Sequence, residues 1–264
     1  MPDGSGLILF LNAGDPSFEE VGRLARLFDG HGVDWLELAV PFPNVVTDGP
    51  VIQRSAQRAI DAGADLESTL AFVSELRPDL SHMRIALMAD WRHTVRARPL
   101  DGFLAAVKLS GCDGLLVHGV PPRARPGYYR RAHAIGVPVV ATCFLGSPEE
   151  TMAEAAANAT AYVYLASRYG RGAGVSAPEP SRLAACVRDL RARTDVPVAV
   201  GFGIETGADV RGVWAAGADA AIVGSAGVAR LERSLRAGAD PVEGMRCFLD
   251  ELLRPELAGT LRGF

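Results

Sequence analysis

Eight short apolar runs recur along the chain: LILFL (7–11), WLELAV (35–40), RIALMA (84–89), GLLVHG (114–119), PVVATCF (138–144), AYVYLA (161–166), PVAVGF (197–202) and AAIVG (220–224). Each is continuous rather than alternating, as in strands covered on both faces, which points to a parallel sheet. Segments with helical spacing lie between them, among them SFEEVGRLARLFDGHG and SRLAACVRDLRART. Four of the joins share one form, in HGVDWLEL, SGCDGLLV, IGVPVVAT and AGADAAIV. There a glycine just past a helix fits a left-handed cap and leads straight into a buried strand. Eight strand–helix units in 264 residues close most economically into a (β/α)8 TIM barrel, a single domain over residues 1–264. A doubly wound open sheet is the second option. It is weakened because GDPSFEE, not G-x-G-x-x-G, follows the first run.

Composition narrows the function classes. With 31 acidic against 27 basic residues, the chain carries no electrostatic signature for nucleic acid or for an anionic membrane surface. No apolar run approaches the length of a membrane span, and the opening MPDGSG lacks the basic region of a signal peptide. Cys112, Cys143, Cys186 and Cys247 are scattered without C-x-x-C spacing, and read as buried or half-buried free thiols in a reducing cytosol. The expectation is a cytoplasmic protein.

Three places carry candidate chemistry. Glu37 stands in the second run on the face opposite Leu36 and Leu38. A carboxylate in a buried strand is costly unless it is used, and desolvation raises its pKa toward the range of a proton-transfer group. Asp48 follows in the loop, before Gly49-Pro50 at a helix start, where taken alone it reads as a helix N-cap before it reads as a catalytic group. The third place is a pair of glycine signals, Gly201-Phe202-Gly203-Ile204 after the seventh run and Gly224-Ser225-Ala226 after the eighth. Backbone amides and a helix N-terminus at those two strand ends suit the phosphate of a small substrate. His118, Asp90 and His93 also fall near strand ends, but without H-x-H or H-x-x-x-H spacing no metal site is expected, and His118 reads as a pocket-lining or loop-anchoring residue.

Taken in order, Gly14-Asp15-Pro16, the strand LELAVPF, DGPVIQ (48–53), YVYLASR (162–168), GFGI (201–204) and Gly224-Ser225-Ala226 resemble the tryptophan synthase alpha subunit family from Leu7 to about Leu253. The resemblance implies a TIM-barrel lyase with no cofactor that cleaves indole-3-glycerol phosphate, by a retro-aldol reaction, into indole and glyceraldehyde 3-phosphate. It places Glu37 as general acid/base and Asp48 as the carboxylate that holds the indole N–H. Phe10, Leu87 and Tyr164 would line the indole pocket or support the glutamate. Gly203, Gly224 and Ser225 would bind the phosphate.

The departures from the family pattern cluster in the loops. Pro43-Asn44-Val45 replaces the aspartate and proline of the loop that contacts the β subunit. Ala89-Asp90-Trp91 replaces a tyrosine and asparagine region, and His118-Gly119-Val120-Pro121 lacks the family's aspartate. The sixth loop, Ser167 to Ala173, lacks the closure threonine but offers Tyr169 and Arg171 as closing groups. The leading expectation is therefore a lyase that releases indole without a β subunit, in specialised metabolism. An ordinary alpha subunit with a diverged β-like partner, and a silent barrel that activates a partner, are the alternatives. A Schiff-base aldolase is excluded, because the only lysine, Lys108, lies at a helix terminus rather than a strand end.

Overall fold

The structure, a computed structural model, describes residues 5–43, 48–166, 179–201 and 203–253. Eight parallel strands form one sheet: β1 (Gly6–Asn12), β2 (Trp35–Ala39), β3 (Arg84–Asp90), β4 (Gly114–His118), β5 (Val140–Phe144), β6 (Tyr162–Ala166), β7 (Val198–Gly201) and β8 (Ala220–Val223). All eight apolar runs are strands, with ends displaced by at most two residues from the sequence reading. The hydrogen-bonded order is β4-β3-β2-β1-β8-β7-β6-β5. Pairing of β1 with β8 excludes the doubly wound alternative. The ring is completed at β4 and β5 by a single parallel bridge, Leu115 to Val139.

Helices alternate with the strands: α1 (Phe18–Gly30), α2 (Pro50–Asp61), α3 (Leu66–Leu76), α4 (Leu100–Leu109), α5 (Arg125–Ile135), α6 (Glu149–Asn158), α7 (Pro180–Arg191), α8 (Gly207–Ala215), α9 (Ser225–Arg236) and α10 (Pro241–Leu253). The anticipated glycine turns are present, with φ between +77° and +88° at Gly32, Gly111, Gly136 and Gly217. Only glycine adopts that conformation without a Cβ penalty, so each stops its helix and releases the chain into the next strand. Among the described residues no helix is long and apolar enough to cross a membrane. Cys112, Cys143 and Cys186 are buried, whereas Cys247 is exposed on α10, contrary to the sequence expectation for it.

Two apolar layers follow from strand alternation. The odd-numbered residues of β1, with Leu36, Leu38, Ile85, Leu87 and their equivalents, join the helices in the outer core. Ile8, Trp35, Ala86, Leu116, Val140, Tyr162, Ala199, Ala220 and Ile222 fill the lumen.

A polar network clamps α2 to the rest. Asp15, 1% exposed, takes two hydrogen bonds from Arg58 at 2.8 Å and one from Ser55, which in turn accepts from Asn12 at 2.9 Å. Arg54 and Arg58 both reach Glu232 on α9, at 2.7 and 3.1 Å. The hydrogen bonds from Arg54 hold the Glu232 carboxyl down at about 2. Arg58→Leu leaves a buried aspartate without its cation. Since a third of the Arg58 side chain is exposed, the expected cost is about 2–3 kcal/mol, below the value for a fully buried pair. The thermal midpoint should then fall by about 5–10 °C, a shift that differential scanning calorimetry can read.

Candidate active site

In β2, Trp35 faces the lumen, so Glu37 two residues on faces it too. Register sets Glu37 beside Phe10 on β1 and Ala86 on β3, and its carboxyl is 1% exposed. The Tyr162 hydroxyl donates to Glu37 Oε1 at 2.7 Å from across the barrel. Its ring is held edge-on against Trp35, with centroids 5.1 Å apart at 67°. Burial raises the Glu37 carboxyl to about 7, with the Tyr162 hydrogen bond acting in the opposite sense. Tyr162 escapes a reading of sequence because a tyrosine in an apolar run looks like any core aromatic.

Asp48 immediately precedes α2 and is half-buried. The N-cap of α2 is Gly49, with no side-chain cap bond, so the helix-cap expectation for Asp48 fails. Its backbone carbonyl accepts from Gln53 Nε2 at 2.8 Å, which gives the last residue of DGPVIQ a positioning role that the sequence alone did not show. Burial raises the Asp48 carboxyl above its ordinary value, opposed by the nearby His118. Tyr164 feels the charge of both carboxyls. Burial and the charges of Glu37 and Asp48 push its phenol well up, so it remains a neutral donor. Its ring covers Gly201, where a Cβ would stand 2.5 Å from the hydroxyl oxygen, so only glycine fits beneath it. Glu37, Asp48, Tyr164, Phe10 and His118 thus gather at the C-terminal mouth of the barrel.

Leu87 does not belong to this group. It is fully buried in the outer core, paired in register with Leu38, and points at the helices. The expectation that it lines the pocket is corrected to its neighbour Met88, which packs on the lumen cluster. A displacement of one residue in a strand reverses the face.

Gly203 and Gly224 follow β7 and β8, which are neighbours in the sheet. Gly203 is exposed with φ +70°. Gly224 is the N-cap of α9 and Ser225 its first residue, exposed, and among the described residues no side chain caps that helix end. The first-turn amides of α9 are therefore available to an anion at the mouth. Phe202 lies outside the described residues, as do Asn44, Val45, Tyr169 and Arg171.

Asp90 and His93 hold each other. Asp90 Oδ1 accepts from the His93 backbone amide at 2.8 Å and lies 2.7 Å from its Nδ1. The imidazole stacks on Phe42 at 5.0 Å and 16°, fixing the start of the loop after β2. Among the described residues no group of three or more His, Cys, Asp or Glu could hold a metal ion.

The family profile described as "Tryptophan synthase alpha chain" matches residues 2–253. The chain belongs to the tryptophan synthase alpha chain family. The tryptophan synthase alpha chain of Rippkaea orientalis is 36% identical over 240 residues, covering 91% of this chain and 87% of that one. The tryptophan synthase alpha chain of Burkholderia multivorans is 34% identical over 248 residues, covering 94% and 89%. Among solved structures, the tryptophan synthase alpha subunit of Legionella pneumophila superposes with a TM-score of 0.83 at 27% identity, over 94% of this chain and 91% of that one. The tryptophan synthase alpha subunit of Pyrococcus furiosus gives 0.83 at 30% identity, over 95% and 98%. Membership in the tryptophan synthase alpha chain family agrees with the barrel and with the order of its motifs.

The raised Glu37 carboxyl has a stability signature independent of turnover. The folded chain keeps this proton up to about pH 7, whereas the unfolded chain releases it near 4.5. Its contribution is complete below pH 4.5 and is lost as pH rises to 7. Glu37→Gln, neutral throughout, should gain on the wild type by roughly 3 kcal/mol between those limits. Denaturant titrations of both proteins at pH 4.5 and 8 check this.

Proposed function

We propose that this protein is a carbon–carbon lyase that cleaves indole-3-glycerol phosphate into indole and glyceraldehyde 3-phosphate. The observation that carries the reading is a wholly buried carboxyl, poised near pH 7, at the same barrel mouth as a second carboxyl and an uncapped helix N-terminus. The reaction needs those three things. Protonated Glu37 gives its proton to indole C3, and Asp48, accepting the ring N–H, stabilises the positive charge that develops on nitrogen. The resulting Glu37 carboxylate then takes the proton of the adjacent glycerol hydroxyl. The oxygen closes to an aldehyde, the bond to C3 breaks, and its electron pair restores the indole ring. Tyr162 donates to Glu37 and steadies its carboxylate between the two proton transfers. Phe10, Met88 and Tyr164 enclose the ring, while Gly203, Gly224 and Ser225 receive the phosphate.

The reading extends to turnover without a β subunit. Support comes from the Asp90–His93–Phe42 stack, which holds the start of the β2 loop by contacts within the chain. The clamp of Arg54 and Arg58 on Glu232 holds the helix at the far end of that loop. A loop fixed at both ends closes at lower entropic cost than one ordered by a partner. Tyr169 and Arg171, in the rewritten sixth loop, are the proposed closing groups.

The purified chain alone, given indole-3-glycerol phosphate, should release indole, with kcat/KM falling as pH rises through about 7 as Glu37 loses its proton. Glu37→Gln should lower kcat by about 10²–10⁴-fold or more. Asp48→Asn should also lower turnover severely without a loss of helix stability. Absence of indole, or more than half the activity in Glu37→Gln, overturns the reading. Activation of tenfold or more by an added β subunit, about 1.4 kcal/mol of coupling, would instead mark an ordinary alpha subunit.

A further inference from the structure

The two carboxyls at the barrel mouth have to differ. Cleavage calls for Glu37 with its proton and Asp48 without, yet burial pushes both up. Two such groups in one enclosure take opposite states only where their surroundings separate them. Glu37 has the phenol of Tyr162, which brings no charge. Asp48 is half-buried, and among the described residues its carboxyl accepts no hydrogen bond; the bond from Gln53 goes to its backbone. A carboxylate drawn out of water needs a donor or a cation.

The end of β4 supplies one. Leu116 belongs to the lumen cluster and Val117 packs on the outer core, so alternation turns His118 back toward the lumen. Gly119, with φ +73°, ends the strand immediately after it. The imidazole is half-buried and makes no hydrogen bond among the described residues. Its neighbours are committed elsewhere. Asp90, opposite it in register on β3, gives Oδ1 to the amide and the ring of His93. Arg125 lines with His118 a cavity of about 100 Å³, but it pairs with Glu154 at 3.1 Å and with the Val120 carbonyl at 3.2 Å. Tyr129, on that wall, and Tyr164, from β6, are phenols pushed up by burial, and they stay neutral. The charge of His118 reaches Asp48 and favours its ionised form.

We propose that His118 is the positioning residue of Asp48: at the end of β4 it pairs with the carboxylate, draws one oxygen toward itself and leaves the other for the ring N–H. Its role in turnover rests on the lyase reading; the pairing itself does not. An imidazole serves in either state, since a protonated ring attracts the carboxylate and a neutral one still donates an N–H. Glu37, set beside a phenol instead, keeps its proton. The difference between those two neighbours divides the acid of the site from its acceptor.

Carbon-13 NMR of the full chain, labelled at its aspartate carboxyls, tests the pairing without turnover. The Asp48 signal is the one lost in Asp48→Asn. Its titration midpoint should rise by about half a pH unit or more in His118→Gln, and return toward the wild type in His118→Lys, which restores a cation. The thermal midpoint of His118→Gln should stay within about 2 °C, since the change is at a half-buried strand end. In turnover Asp48 must be ionised, so the rate falls as pH drops through its midpoint, and losing His118 moves that acid limb to higher pH. The advantage of the wild type over His118→Gln in kcat/KM should therefore grow about threefold or more from pH 7 to pH 5. The alkaline limb near 7, set by Glu37, should not move. An unmoved Asp48 midpoint overturns the proposal. So does a loss of activity that is the same at every pH, or one that His118→Gln still causes when Asp48→Asn is already present. A wild type that releases no indole removes the lyase reading and the role in turnover, and the NMR titration then decides the pairing alone.

Discussion

A carboxyl group enclosed in an apolar barrel is the constraint from which the rest of this site follows. Among the described residues Glu37 has no cation beside it, and its hydrogen-bond donor is the phenol of Tyr162, on the opposite wall of the barrel. An ion pair would have fixed the carboxylate and abolished its use as an acid. A neutral phenol favours the carboxylate without an ion pair's grip, and the apolar surroundings outweigh it and hold the proton. The aromatic pair beneath, Trp35 against Tyr162, then becomes a device for aiming one hydroxyl rather than mere filling.

The second carboxyl depends on a different kind of support. Asp48 stands at the beginning of a helix, and its placement is only as good as the placement of that helix. Gln53 fixes the local backbone, and a buried aspartate with two arginines and a glutamate fixes the helix to β1 and α9. The same salt links join the helix that follows Asp48 to the helix whose N-terminus faces the mouth. One network thereby sets the spacing between the end of the site that would hold the ring and the end that would hold the phosphate.

Much of this was legible in the sequence because it is written in strong local signals. Continuous apolar runs gave the strands, glycines past helix ends gave the joins, and a charged residue inside an apolar run pointed to Glu37. What was not legible depends on distance through space. Leu87 and Met88 are adjacent and both apolar, and only the register with β2 decides which one enters the lumen. Tyr162 and Glu37 are separated by 125 residues, so nothing local announces their bond. Asp48 could have been a cap until the helix start was seen to fall on Gly49. The bond of Gln53 runs to a backbone atom, which no residue pattern reveals.

The pairing of β1 with β8 has a consequence for how the chain is made. Gly6 lies opposite Ala220, so the first strand emerges from the ribosome long before its last neighbour exists. Until then β1 through β4 can form only a curved half-sheet with an open edge, and a parallel edge of Leu and Ile is a surface on which other nascent chains can pair. Closing it is a contact of very high sequence separation, which places this barrel among slow folders whatever its final stability. The site at the barrel mouth draws on β1, β2, β6 and β8 together, so it comes into being only with that final closure.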